Sequence, residues 1–66
     1  MQIHVNGEER TVADGASVSA LLDLLELPSD RVAVEVNREL VSKSRHGETL
    51  LRAGDRVEIV TLVGGG

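Results

Sequence analysis

The 66-residue sequence contains no cysteine and no Phe, Trp or Tyr. Without thiols there is no disulfide framework, no thiolate metal site and no persulfide chemistry carried by the chain itself. Without aromatic rings the core has to be built from Val, Leu, Ile and Ala, and no platform exists for stacking bases. Positive charge is nowhere concentrated: the formal net charge is −4, and Arg10, Arg31, Arg38, Lys43, Arg45, Arg52 and Arg56 are dispersed. Nucleic-acid binding needs a basic stripe, so that class is set aside. Long apolar runs are missing as well, and none approaches the roughly 20 residues that span a bilayer as a helix. The start, Met1-Gln2-Ile3-His4, lacks the basic residues and apolar stretch of a signal peptide. A soluble, cytoplasmic protein with no membrane partner is expected.

At this length one domain is predicted, close to the lower limit for folding without a staple. Total stability is then on the order of 3–10 kcal/mol. That margin is too small to carve a large strained active site out of the core.

Met1, Ile3 and Val5 alternate with Gln2, His4 and Asn6, the period-2 pattern of a half-buried strand. Asn6-Gly7 is a type I′ hairpin signal, because both central residues of that turn need positive φ. Glu8 to Val12 reads as the return strand, short and charged like a sheet edge. Val18, Leu21, Leu22 and Leu25 then fall on one helical stripe, widened by Leu24. Ser17 is the expected N-cap and Pro28 the stop, which predicts a helix over roughly Val18 to Glu26.

Val32, Val34 and Val36 form a third alternating strand, Asn37-Arg38 a turn, and Leu40-Val41 a very short fourth strand. Ser42 to Glu48 is polar and aperiodic, a surface loop with room for one 3₁₀ turn, after which Leu50 and Leu51 are expected to tuck onto the core. Ala53-Gly54-Asp55 is a turn before the last strand, Arg56 to Val63. Two hairpins with a helix between them make a ββαββ plan of the α+β class, with the helix packed on one face of a mixed sheet. The first and last strands are expected side by side at the sheet centre; if they run parallel, the last strand leaves the sheet at the same end as the Asn6-Gly7 turn. Residues 1–63 are read as the domain and 64–66 as a flexible C-terminal glycine tail.

That tail, Gly64-Gly65-Gly66, closes no turn and starts no helix, so the phosphate-cradle reading of a glycine run fails. Three successive residues without Cβ make an arm thin enough to thread a tunnel. The α-carboxylate of Gly66 is anionic at neutral pH, with a reference pKa of roughly 3.3–3.7. On the last strand Val57, Ile59, Thr61 and Val63 share one face, and Glu58, Val60 and Leu62 the other. If the first set meets the helix, Val60 and Leu62 are left exposed as a docking patch beside the tail. Ordering such an arm in a partner costs about 1–2 kcal/mol per residue of backbone entropy, which contacts of the folded domain have to offset.

No other residue set points to catalysis or metal binding. His4 and His46 have no second ligand at metal spacing, and read as structural or solvated. The serines lack a glycine elbow, and Glu8-Glu9 reads as a solvated edge or a partner contact. No catalytic residue is assigned, and the chain is not read as an enzyme.

Val5-Asn6-Gly7, Asp14-Gly15 with Val18 and Leu21-Leu22, the run Val32 to Asn37, Gly54 to Val60 and the terminal glycines carry a resemblance. Together they resemble the ubiquitin-like β-grasp sulfur carriers, and among these the ThiS-type carriers of thiamin biosynthesis. The resemblance covers the whole chain, and the di-glycine end is its most specific part. Three positions depart from it: Ser42 stands where proline often follows the fourth strand, Arg38 where glycine is common, and His46-Gly47 where an aromatic is frequent.

The resemblance implies that an adenylyltransferase of the ThiF type binds the domain and draws the tail into its ATP site. There the Gly66 carboxylate becomes an acyl-adenylate at the expense of Mg-ATP. Persulfide sulfur, ultimately from a cysteine desulfurase, displaces AMP and leaves a thiocarboxylate, which thiazole synthase uses to build the thiazole of thiamin. ATP and magnesium are the partner's, and the chain itself is expected to bind no cofactor or metal. Alternatives at this point are sulfur carriage for molybdopterin or another cofactor, a ubiquitin-like protein modifier, and an interaction module whose tail is incidental.

Overall fold

Asn6 and Gly7 have φ of 50° and 84°, as a type I′ turn requires. They join β1 (Gln2–Val5) to β2 (Glu8–Thr11), an antiparallel pair in the register Gln2 with Thr11 through Val5 with Glu8. Every residue of β2 is exposed, and its charged residues keep that sheet edge from pairing with another chain. The computed structural model describes residues 1–62. The end of the last predicted strand, the boundary expected after residue 63 and the glycines Gly64, Gly65 and Gly66 lie outside them.

The helix, α1, runs over Val18–Leu24, with the Ser17 hydroxyl accepting from the Ala20 amide at 3.0 Å. It is shorter than the predicted Val18–Glu26, and Pro28 is not what ends it. Glu26 takes a left-handed φ of 58°, its amide donates to the Asp23 carbonyl at 3.0 Å, and the Leu27 amide donates to the Leu22 carbonyl at 2.9 Å. This is a Schellman stop with glutamate where glycine is usual. Pro28 instead leads into a 3₁₀ turn at Ser29–Arg31. Val18, Leu21 and Leu22 are buried and Leu25 is partly so, but Leu24 is exposed. At about 100° per residue, Leu24 lies some 60° beyond Leu21, off the stripe that meets the sheet.

β3 (Val32–Val36) and β4 (Glu39–Val41) form the second hairpin, with Val34 opposite Val41 and Glu35 opposite Leu40. Its turn, Asn37-Arg38, also has two positive φ values, 52° and 71°, so Arg38 holds a conformation that glycine adopts without strain. A 3₁₀ turn follows at Lys43–Arg45, inside the polar stretch read as a loop. His46 at its end is buried, 3% exposed, with Nε2 3.2 Å from the Val41 carbonyl. Leu51 is buried as expected, whereas Leu50 is exposed. Leu50 pairs as an isolated bridge with Ser17, and successive residues of extended backbone point to opposite sides, so only one leucine can enter the core.

β5 (Arg56–Thr61) completes a five-stranded mixed sheet in the order β2-β1-β5-β3-β4. It runs parallel to β1 and antiparallel to β3, so the ββαββ plan is realised with the last strand inserted at the centre between the two hairpins. The core is Ile3, Val5, Val12, Val18, Leu21, Leu22, Val32, Val34, Leu51, Val57 and Ile59, all aliphatic, on the face that α1 covers.

Candidate functional site

β1 ends at Val5, yet β5 continues several residues further along its flank. The Asn6 side chain fills the gap. Its Nδ2 donates to the Ile59 carbonyl at 3.1 Å, and its Oδ1 accepts from the Ile59 amide at 2.8 Å. A side-chain amide carries one donor and one acceptor side by side, so it substitutes for a peptide group and extends the parallel ladder by one rung. Asn37 does the same at the other end of the strand. Its Oδ1 accepts from the Arg56 amide at 3.0 Å, its own amide donates to the Arg56 carbonyl at 2.7 Å, and its Nδ2 donates to Asp55 Oδ1 at 3.0 Å. Two type I′ turns thus each supply an asparagine that grips the central strand. The Leu62 amide, donating to the Arg31 carbonyl at 2.7 Å, carries the pairing past the end of β5.

The face of the sheet away from α1 is open. Residues in register share a face, which places Ala33 beside Val60, Glu35 beside both Glu58 and Leu40, and His4 beside Arg56 and Glu9. Val60 is 60% exposed, Leu62 51% and Leu40 72%. The two residues expected to form a docking patch are therefore at the surface, Val60 on β5 and Leu62 just past its end. Leu40, which the alternation of a three-residue strand could not assign to a face, joins the open side from β4. Thr61 shares the side of Val57 and Ile59, as the alternation predicts, but it is exposed, since it lies at the end of the strand opposite Val32. The carrier position Gly66 and the tail residues Gly64 and Gly65 fall beyond the described residues.

Among the described residues nothing gathers acid–base or metal chemistry. No group of three His, Asp or Glu side chains could hold a metal ion, and no helix is long and apolar enough to cross a membrane. A depression lined by His4, Asn6, Gly7, Arg56, Val57 and Glu58 contains no nucleophile. His4 is half-buried on the open face with Nδ1 unpartnered, and the Nδ1 of His46 also lacks a partner. The two histidines lie on different elements, and neither faces an acid at bonding distance among the described ion pairs and hydrogen bonds.

A small mixed sheet grasping one helix, with a solvent-facing apolar patch on its central strand, defines a ubiquitin-like β-grasp domain. Solved structures and curated sequences narrow the class. The model of the ThiS family matches residues 3–66, and the chain belongs to that family. The crystal structure of the thiamine biosynthesis protein ThiS from Geobacter metallireducens superposes with a TM-score of 0.86 at 35% identity, covering 100% of both chains. The sulfur carrier protein ThiS of Bacillus subtilis is 35% identical over 65 residues, covering 97% of this chain and 98% of that protein. A thiazole synthase of Paramagnetospirillum magneticum is 44% identical over 66 residues, which are 100% of this chain but 20% of that protein. The chain thus spans about a fifth of the length of the first curated relatives it matches.

Proposed function

We propose that this chain carries sulfur on the α-carboxylate of Gly66 for assembly of the thiazole moiety of thiamin. The observation that supports this most directly is the near-coextensive similarity to a protein named as a sulfur carrier, within a family match that runs through the glycines to residue 66. The similarity of the whole chain to a segment of two thiazole synthases favours the thiazole pathway over molybdopterin.

The chemistry is divided between carrier and partner. A carboxylate is resonance-stabilised and unreactive toward sulfur until one oxygen is made a good leaving group. An adenylyltransferase of the ThiF type supplies that activation: a Gly66 carboxylate oxygen attacks the α-phosphorus of Mg-ATP, and pyrophosphate leaves. A persulfide sulfur then attacks the acyl carbon, and AMP departs with the oxygen. Reductive cleavage of the S–S bond by a second thiol, which ends as a disulfide, leaves the thiocarboxylate. Thiazole synthase receives its sulfur.

The folded domain contributes recognition. Val60 on β5 and Leu62 just past its end are the proposed contacts. Burying the exposed half of each side chain contributes about 1 kcal/mol apiece, which offsets part of the cost of holding the glycines in the partner's ATP site.

The test is intact mass spectrometry after incubation with Mg-ATP, the adenylyltransferase and a persulfide source. The expected product is heavier by the exchange of one oxygen for sulfur, and a chain lacking Gly65 and Gly66 does not form it. Survival of the unmodified carboxylate under conditions that activate a known carrier would refute the assignment. Stable conjugates to lysines of other proteins would point instead to a protein modifier.

A further inference from the structure

The open face of the sheet holds an arrangement that folding does not favour. Glu35 on β3 and Glu58 on β5 stand directly opposite each other in the antiparallel register, both exposed. Cβ atoms of such pairs are about 4.5–5.5 Å apart, and like charges placed there destabilise a sheet. No described ion pair relieves them; those present join Met1 to Asp14 and Arg45 to Glu48. Toward the end of β5 the face beside the two carboxylates is apolar, whereas the next row on the other side holds Arg56 and His4, and Arg56 makes no described ion pair with either glutamate. Leu40 continues their row on β4, and Val60 and Ala33 form the adjacent row on β5 and β3.

We infer that this sheet face is a receptor for a partner surface that places an arginine or lysine between Glu35 and Glu58 while apolar side chains cover Leu40 and Val60. The inference rests on the proposed carrier function and deepens it, because it states the chemistry the adenylating partner presents to the domain. Charge complementarity decides the occupant. An apolar surface alone would bury two carboxylates that repel each other, which carries a heavy desolvation penalty. A second copy of this chain would bring its own Glu35 and Glu58 against the same pair. A guanidinium carries its charge in a planar fork of donors and can bond two carboxylates at once. It turns the repulsion of the free domain into attraction in the complex. The pair thus acts as a selectivity element: it raises the affinity for a cationic docking surface and disfavours neutral apolar ones.

The two roles separate by sign. A carboxylate kept for folding stabilises the free domain, whereas one kept for docking does not. Glu35→Gln and Glu58→Gln, singly and together, are measured for thermal stability and for steady-state adenylation by the partner enzyme, with Asp23→Asn on the exposed side of α1 as a charge-matched control. The double variant is expected to melt at or above the wild-type temperature. Its KM for adenylation is expected to rise about tenfold, with most of the loss in KM rather than kcat. That gap should narrow as ionic strength goes from roughly 0.05 to 0.5 M, where screening shortens from above 10 Å to a few ångströms. Asp23→Asn should leave KM within twofold. Equal KM values for wild type and the double variant, with wild type adenylated normally, would overturn this inference and leave the carrier function standing. A double variant that melts far below wild type would also overturn it, by showing that the pair serves the fold. Failure of the wild-type chain to be adenylated at all would overturn both.

Discussion

Replacing Asn6 tests whether a side chain acts as the missing rung of the sheet. Asn6→Ala removes two hydrogen bonds to Ile59, of 2.8 and 3.1 Å, and puts a Cβ-bearing residue without a polar side chain at a φ of 50°. Each net bond contributes about 0.5–1.5 kcal/mol, and alanine in the left-handed region costs about 1 kcal/mol more. The sum is about 2–4 kcal/mol, a large fraction of the stability of a domain this size. At roughly 4–8 °C per kcal/mol, a loss near 3 kcal/mol lowers Tm by about 12–24 °C. Asn6→Gly separates the two contributions, since glycine accepts the backbone angle and loses only the bonds; it should fall about two-thirds of the way from wild type to alanine. Asn6→Asp keeps the acceptor for the Ile59 amide but sets a carboxylate against the Ile59 carbonyl, and should also destabilise. Urea and thermal unfolding followed by far-UV circular dichroism measure all three. If Asn6→Gly unfolds at the wild-type midpoint, the amide contributes nothing and the account of the strand's support is wrong.

The left-handed Glu26 that closes α1 predicts that Glu26→Gly raises stability by about 0.5–1 kcal/mol, and Arg38→Gly in the second hairpin by a similar amount. The two gains should add, since the residues lie on separate elements; a loss in either denaturation curve would contradict the turn geometry. Leu21→Ala, in the core at 1% exposure, should cost about 2–5 kcal/mol and bring the domain to the edge of unfolding. Leu24→Ala should change the midpoint by no more than about 0.5 kcal/mol, and a cost for Leu24 equal to that for Leu21 would mean the helix is rotated. Val60→Ala and Leu62→Ala should each raise the KM for adenylation several-fold with Tm nearly constant, and unaltered kinetics in both would remove the docking patch from the proposal.

Much of the fold is legible because the signals are local. The period-2 runs of β1, β3 and β5, the stripe of Val18, Leu21 and Leu22, the Ser17 cap and the Asn6-Gly7 turn follow from backbone sterics and from which side of an element can be apolar. Those signals are carried by neighbouring residues and need no tertiary contact. The exposure of Val60 and Leu62 follows from the same alternation once Val57 and Ile59 are assigned inward. The readings that failed lie where two local options were close in energy. Glu26 takes a left-handed turn two residues before the proline, and Leu50 and Leu51 cannot both face the core of one extended segment.

Alternation and glycine placement by themselves determined that this chain is a small α+β domain with an aliphatic core and an apolar-flanked glycine end. Register decided the rest. Only the assembled sheet brings Glu35 opposite Glu58, residues 23 positions apart in sequence, and seats Leu40 beside them. Likewise Asn6 reaches Ile59 across 53 positions. Pairing between strands depends on which edges the core leaves free to meet, a property of the packed molecule that no single segment carries.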